Sequence, residues 1–219
     1  MTLSLFDDPP EALTPQALGP GAWLLRGFAL DQAQALVRAA EAVMRAAPLR
    51  HFTVPGGRSM SVAMTNCGAL GWTSSCAGYR YSGIDPLTHQ PWPAMPACFA
   101  DLATQAAAQA GFERFQPDAC LVNRYAPGAR MSLHQDRDES DLAAPIVSVS
   151  LGLPAVFLFG GVLRTDRTTR YRLAHGDVVV WGGASRLAYH GIAPLADGEH
   201  PRLGRQRLNL TFRRAAPSA

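Results

Sequence analysis

Three residues suggest a chemistry: His134, Asp136 and His190. His134 and Asp136 are two apart, so an extended segment puts the imidazole and the carboxylate on one side. Two histidines and one carboxylate can occupy one face of an octahedral ion and leave the opposite face open, as in non-haem Fe(II) oxygenases. Such an ion needs a co-substrate on the open face. A dicarboxylic keto acid there would require a fixed cation, and the stretch Arg207-Leu208-Asn209-Leu210-Thr211-Phe212-Arg213 can supply one. It alternates strictly, with leucines and phenylalanine on one face of a strand and Arg207, Asn209, Thr211 and Arg213 on the other. Alone, that pattern describes a half-buried strand with a wet outer face. The trio of possible ligands shifts the reading toward a carboxylate clamp.

Spacing by itself does not single out His134, because His175-Gly176-Asp177 repeats the same pattern. There the glycine and the following Val178-Val179-Val180-Trp181 favour a turn leading into a strand, with His175 and Asp177 satisfying backbone groups. His51, His89 and His200 adjoin turn or proline signals and read as surface residues. Asn123 and Tyr125 share one strand face and, read alone, are ordinary strand polars. Asp138 continues the parity of His134 and Asp136. Glu139 and Asp141 beside it read as a solvated acidic loop.

Several segments together resemble the AlkB family of Fe(II)/2-oxoglutarate dioxygenases, the direct-reversal repair enzymes for alkylated nucleic-acid bases. They are Met60-Ser-Val-Ala-Met-Thr-Asn-Cys67, Asn123-Arg-Tyr-Ala-Pro-Gly128, His134-Gln-Asp136, Trp181-Gly-Gly183, His190 and Arg207 to Arg213. The likeness runs from about Trp23 to Arg214. It implies Fe(II) on His134, Asp136 and His190, with 2-oxoglutarate and O2 as co-substrates. It implies 2-oxoglutarate held by Asn123, Tyr125, Arg207, Asn209 and Arg213, with Arg213 on the distal carboxylate and Arg207 nearer the metal. The implied reaction is oxidative demethylation of 1-methyladenine and 3-methylcytosine in DNA, and possibly RNA, with release of formaldehyde. A flipped base would stack on Trp72, with the His134 ring opposite and Tyr79 nearby. Asp138 would meet the positive charge that N-methylation leaves on the base. Arg164 would approach base or phosphate, and Met64 would line the pocket, although core packing explains Met64 equally well. One departure stands out. Where some members carry phosphate-binding hydroxyls after Phe52, this chain has Val54 and Arg58, which leaves strand and nucleic-acid preference open.

Elements must position these groups. At 219 residues and 47% hydrophobic, the chain is long enough for one domain with a sizeable core. The net charge is only +3, and all twenty cations are arginine, so there is neither a broad basic field nor a P-loop lysine. Cys67, Cys76, Cys98 and Cys120 show no CxxC spacing and read as reduced core thiols of a cytoplasmic protein. No targeting segment or membrane span is apparent, and no obligate protein partner is expected.

The expected fold class is α+β, mainly β: a double-stranded β-helix (jelly-roll) core, two supporting helices and an N-terminal nucleotide-recognition lid. Residues 1–20 read as a loose arm, 21–214 as one dioxygenase domain and 215–219 as a tail. Within the domain, about 50–96 form the lid and about 119–214 the core. The lid assignment leans on the resemblance, since its aromatics could equally plug small surface clusters. One helix follows Asp31 as N-cap and stops at Pro48; the other spans 97–110 between Pro96 and Gly111. Strands are expected at 22–28, 60–65, 119–125, 132–136, 146–152, 155–159, 170–173, 177–181, 187–190 and 207–213. Residues 86–96, with four prolines, are expected to be extended. Two other functions fit the residues: an oxygenase of the same chemistry acting on protein or a small molecule, and a non-catalytic jelly-roll binding module. A hydrolytic metal enzyme fits less well, for want of H-E-x-x-H.

Overall fold

The computed structural model describes residues 15–217. The described strands are β1 (Gln16–Gly19), β2 (Ala22–Leu25), β3 (Ala63–Gly68), β4 (Gly71–Ser75), β5 (Gly78–Ser82), β6 (Ala119–Tyr125), β7 (Met131–His134), β8 (Ile146–Gly152), β9 (Ala155–Phe159), β10 (Thr169–Leu173), β11 (Val178–Trp181), β12 (His190–Ile192) and β13 (Arg207–Arg213). Helix α1 (Ala33–Ala46) precedes β3, and α2 (Ala97–Gln109) precedes β6.

Seven strands form one sheet in the order β1-β2-β11-β8-β13-β6-β3, and four form a second, β10-β9-β12-β7. Strands β4 and β5 make a separate hairpin. All of these pairings are antiparallel. The two sheets face each other in the double-stranded β-helix arrangement.

Strand β13 shows why. Leu208, Leu210 and Phe212 join a cluster with Leu36, Ala40 and Val43 of α1 and Phe99, Leu102 and Ala106 of α2, so the helices cover that face of the large sheet. Burying each large side chain there is worth about 1.5–3 kcal/mol. Between the sheets, Phe157 and Phe159 of β9 meet Val179 and Trp181 of β11. The polar face of β13 points into this second layer and is also buried: Arg207 is 1% exposed and Arg213 6%. The wet outer face that the alternation alone suggests does not exist.

Several expectations shift. The arm expected over 1–20 is shorter, because Gln16–Gly19 pairs with β2; residues 1–14 lie outside the described residues. In the tail expected over 215–219, Ala215 and Ala216 donate backbone N–H groups to Asp118. Asp31 does not cap α1. The turn before the helix satisfies its first N–H through Ala33 N donating to Leu30 O, and Gln32 holds the cap position. Residues 86–96 are not extended throughout: Asp85, paired with Arg50, accepts from Leu87 N and Thr88 Oγ1 and closes a turn. Strand β3 lies three residues later than expected at each end, since Met60 N is drawn to Phe52 O. Strand β12 begins only at His190, because Ala188 N donates to Ser185 O and prolongs the preceding turn. His175-Gly176-Asp177 is the expected turn. Gly176 has φ 87°, His175 Nδ1 accepts from Gly152 N, and the Asp177 carboxylate accepts from Gly27 N and Ala174 N. Among the described residues no helix is long and apolar enough to cross a membrane.

Candidate metal and co-substrate site

The small sheet brings the two imidazoles together. His190 of β12 is the direct register partner of His134 of β7, and their ring centres are 4.4 Å apart. The strands meet closely here because position 191 is glycine; a Cβ on it would lie 2.7 Å from Met131 O. Strand β7 ends at His134, which lets Asp136 turn inward. One ligand atom from each of His134, Asp136 and His190 lies within 4.8 Å of the others. Asp136 Oδ1 is 3.6 Å from His134 Nε2 and 4.0 Å from His190 Nε2.

The surroundings prepare all three for a cation. His134 Nδ1 sits 2.8 Å from Ser132 O and His190 Nδ1 3.0 Å from Ala188 O. A carbonyl only accepts, so each Nδ1 carries a proton and Nε2 is the ring nitrogen left to face a cation. Burial, and next the neighbouring His134, lowers the His190 pKa to about 4, so the ring is neutral at pH 7. Burial alone would raise the Asp136 pKa, but Arg213 and the two histidines outweigh it and hold the carboxyl below its ordinary range. Arg213 donates Nε and Nη2 to Asp136 Oδ2 at 2.8 and 2.6 Å, leaving Oδ1 toward the histidines.

Arg207 lies at the other end of β13. Its Nη2 donates to Ser150 Oγ at 2.8 Å and its guanidinium sits 4.9 Å from the Tyr125 ring centre. Nε and Nη1 have no hydrogen-bond partner among the described residues. A buried cation with two idle donors and no carboxylate beside it is costly. A carboxylate placed there removes that cost, so this end of the site fits one end of a dicarboxylate. The family order of the arginines is reversed from the expectation above: Arg213 is on the metal side and Arg207 is remote.

Asn123 donates Nδ2 to Asn209 Oδ1 at 3.1 Å and leaves its own Oδ1 unpaired. Asn209 is already saturated. Its Nδ2 reaches Ser148 Oγ and Val149 O, and its Oδ1 accepts from Asn123 and Thr211. It is therefore placed to hold Asn123 rather than to meet a co-substrate. Neither Arg207, Asn123, Tyr125 nor Asn209 borders the open cavity described next.

That cavity, of about 570 Å³, reaches His134 and Asp136 of the trio and is bordered by Trp72, Tyr79, Asp138, Arg164 and Met64. Met64 is fully buried in its wall. Trp72 stacks on Tyr79, with centres 5.4 Å apart and planes at 18°, and donates Nε1 to Asp138 Oδ2 at 2.9 Å. Arg164 donates to Leu133 O at 3.0 Å and lies over the Tyr189 ring.

Glu139 departs from expectation: it is 6% exposed, not solvated, and accepts from Tyr81 and Arg186. Arg186, Ser148 and Ser150 were missed in the sequence. The hydroxyl–aliphatic alternation of β8 carries a signal for the two serines; Arg186 has none.

The family model of the 2OG-Fe(II) oxygenase superfamily matches residues 21–213. The chain is 60% identical to the alpha-ketoglutarate-dependent dioxygenase AlkB of Salmonella typhimurium, over 98% of both chains. The chain belongs to the AlkB family. The non-catalytic binding module therefore falls: the AlkB relatives of this similarity are dioxygenases, and the chain brings His134, Asp136 and His190 together. The chain is also 30% identical to the tRNA demethylase abh1 of Schizosaccharomyces pombe over 68% of its own length and 54% of that protein's. The solved structure of OsALKBH1 shares the fold at a TM-score of 0.81 and 29% identity, covering 92% of this chain and all of that one.

Proposed function

We propose that this protein is an Fe(II)- and 2-oxoglutarate-dependent dioxygenase that removes N-methyl groups from 1-methyladenine and 3-methylcytosine in DNA. The observation that carries the reading is the pairing of a metal-ready His134–Asp136–His190 trio with an idle buried guanidinium at the far end of β13. When bound, iron with 2-oxoglutarate and O2 supplies the oxidation: co-substrate goes to succinate and CO2, and the methyl carbon leaves as formaldehyde.

The chain supplies position. Nε2 of both histidines and Oδ1 of Asp136 are the atoms that would hold the ion. Arg213 keeps Asp136 ionised and fixes which oxygen faces the metal. Arg207 takes the distal carboxylate of 2-oxoglutarate with its Nε and Nη1. The Tyr125 hydroxyl, kept protonated because burial raises its pKa against the pull of Arg207, donates beside it. Asn123, steadied by Asn209, offers its remaining amide N–H. Trp72, backed by Tyr79, gives the extruded base a flat surface, and stacking there is worth roughly 1–3 kcal/mol. Asp138 puts negative charge beside a cationic lesion, and Arg164 reaches the base or its phosphate. Four free cysteines suit a cytoplasmic location.

The test is formaldehyde release from 1-methyladenine and 3-methylcytosine oligonucleotides with Fe(II) and 2-oxoglutarate. His134→Ala should abolish it, and full turnover by that variant would end the ligand assignment.

A further inference from the structure

Trp72 and Tyr81 are direct register partners across β4 and β5, so they project from one face of the hairpin. Each grips one of two consecutive carboxylates. Trp72 Nε1 donates to Asp138, and the Tyr81 hydroxyl donates to Glu139 Oε1 at 2.6 Å. Both acids lie on the segment that follows Asp136.

Glu139 leads further inward. Its Oε2 accepts from Arg186 Nη2 at 3.1 Å, and its Oε1 is 3.3 Å from Arg213 Nε. Arg213 holds Asp136 Oδ2 at 2.6 Å, and Arg186 Nη1 donates to the backbone oxygen of Asp136, also at 2.6 Å. A continuous chain of polar contacts thus runs from the hairpin to the metal-side carboxylate. Arg186 pairs with Glu139 and Arg213 is shared between Glu139 and Asp136, so the phenol is not the partner that balances the charge. Burial is the main reason the phenol's pKa is raised, so the group keeps its proton and stays a donor.

We propose that Tyr81 is a positioning residue: through Glu139 and Arg213 it makes closure of the β4–β5 hairpin over a bound base and the setting of Asp136 one event. The inference rests on the dealkylation reading. With the hairpin closed, each 2-oxoglutarate consumed is matched to a base in reach; with it loose, succinate forms without demethylation.

Tyr81→Phe removes one oxygen and keeps the ring. In the metal-free protein, hydrogen exchange of the hairpin amides over 71–82 should quicken about tenfold, as expected for losing a hydrogen bond to a charged group. In the loaded enzyme, formaldehyde released per succinate formed should fall, and KM for the methylated oligonucleotide should rise. A variant with the wild-type ratio of formaldehyde to succinate overturns the proposal, whatever happens to exchange, because the phenol would then only staple the hairpin. Wild-type protein that releases no formaldehyde would instead refute the dealkylation reading. The exchange comparison would then decide the tie alone, unchanged rates refuting it.

Discussion

Arg207 puts two physical effects in opposition. Its guanidinium is buried, and burial lowers its pKa against the favourable neighbourhood of Tyr125. In the protein without co-substrate it is a liability, since a buried charge without a counter-charge is destabilising. On the proposed reading a co-substrate carboxylate would make it one half of a buried ion pair, whose loss costs about 2–5 kcal/mol, or roughly 30-fold and upward in KM. Arg207→Met should therefore raise the thermal midpoint of the free protein while raising KM for 2-oxoglutarate. Adding 2-oxoglutarate with a redox-inert divalent ion should stabilise the wild type and leave the variant nearly unmoved. A variant that loses stability in the absence of ligand would show that Arg207 has a structural counter-charge.

At the scale of elements, the loop from β12 to β13 is pinned by two tilted, adjacent imidazoles. His175 and His200 lie 4.5 Å apart. His175 Nδ1 accepts from Gly152 N, and His200 Nδ1 accepts from Arg202 N and Leu203 N. Protonation of His175 at Nδ1 removes its acceptor, so acid breaks the bond from Gly152 N. Burial first, then His200 and Arg202, lower the His175 pKa in the folded protein. The sign follows: the unfolded chain takes up the proton at higher pH than the folded one. This contribution is therefore complete above the ordinary histidine range and is lost as pH falls through it toward the lower folded value. Gly152 pairs with Arg207, so the loss loosens the co-substrate end of β13. Between about pH 7.5 and pH 5.5 the thermal midpoint of the wild type should drop more than that of His175→Asn, whose amide oxygen accepts the same bond without titrating. Equal slopes would remove His175 as the cause.

For the whole molecule, charge is local rather than global. With a net charge of only +3, attraction for a polyanion must come from the exposed arginines at the cavity mouth: Arg58, Arg130, Arg137 and Arg164. If all four meet phosphates of a single strand, log K against log salt should slope at about −3. Arg130→Ala should flatten that slope by about 0.7 without changing which base is demethylated. Fluorescence anisotropy over a salt series measures both, and a slope near zero would move the nucleic acid off this rim.

The two helices, the strands from β6 to β13, the alternation of β13 and the His134–Asp136–His190 set follow from the sequence, because side-chain period and residue type are local properties, whereas β1, β4 and β5 carry no such signal and form only through their pairing. The rank of His134-Gln135-Asp136 over His175-Gly176-Asp177 is local too, since Gly176 and the valines after it mark a turn. The reversed roles of Arg207 and Arg213 are not, nor is the burial of Glu139. Both depend on which end of β13 lies beside β7 and on what the hairpin covers, and those are distances between segments far apart in the chain. A strand pattern tells which side chains share a face; only the stacking of one sheet on another tells what that face meets.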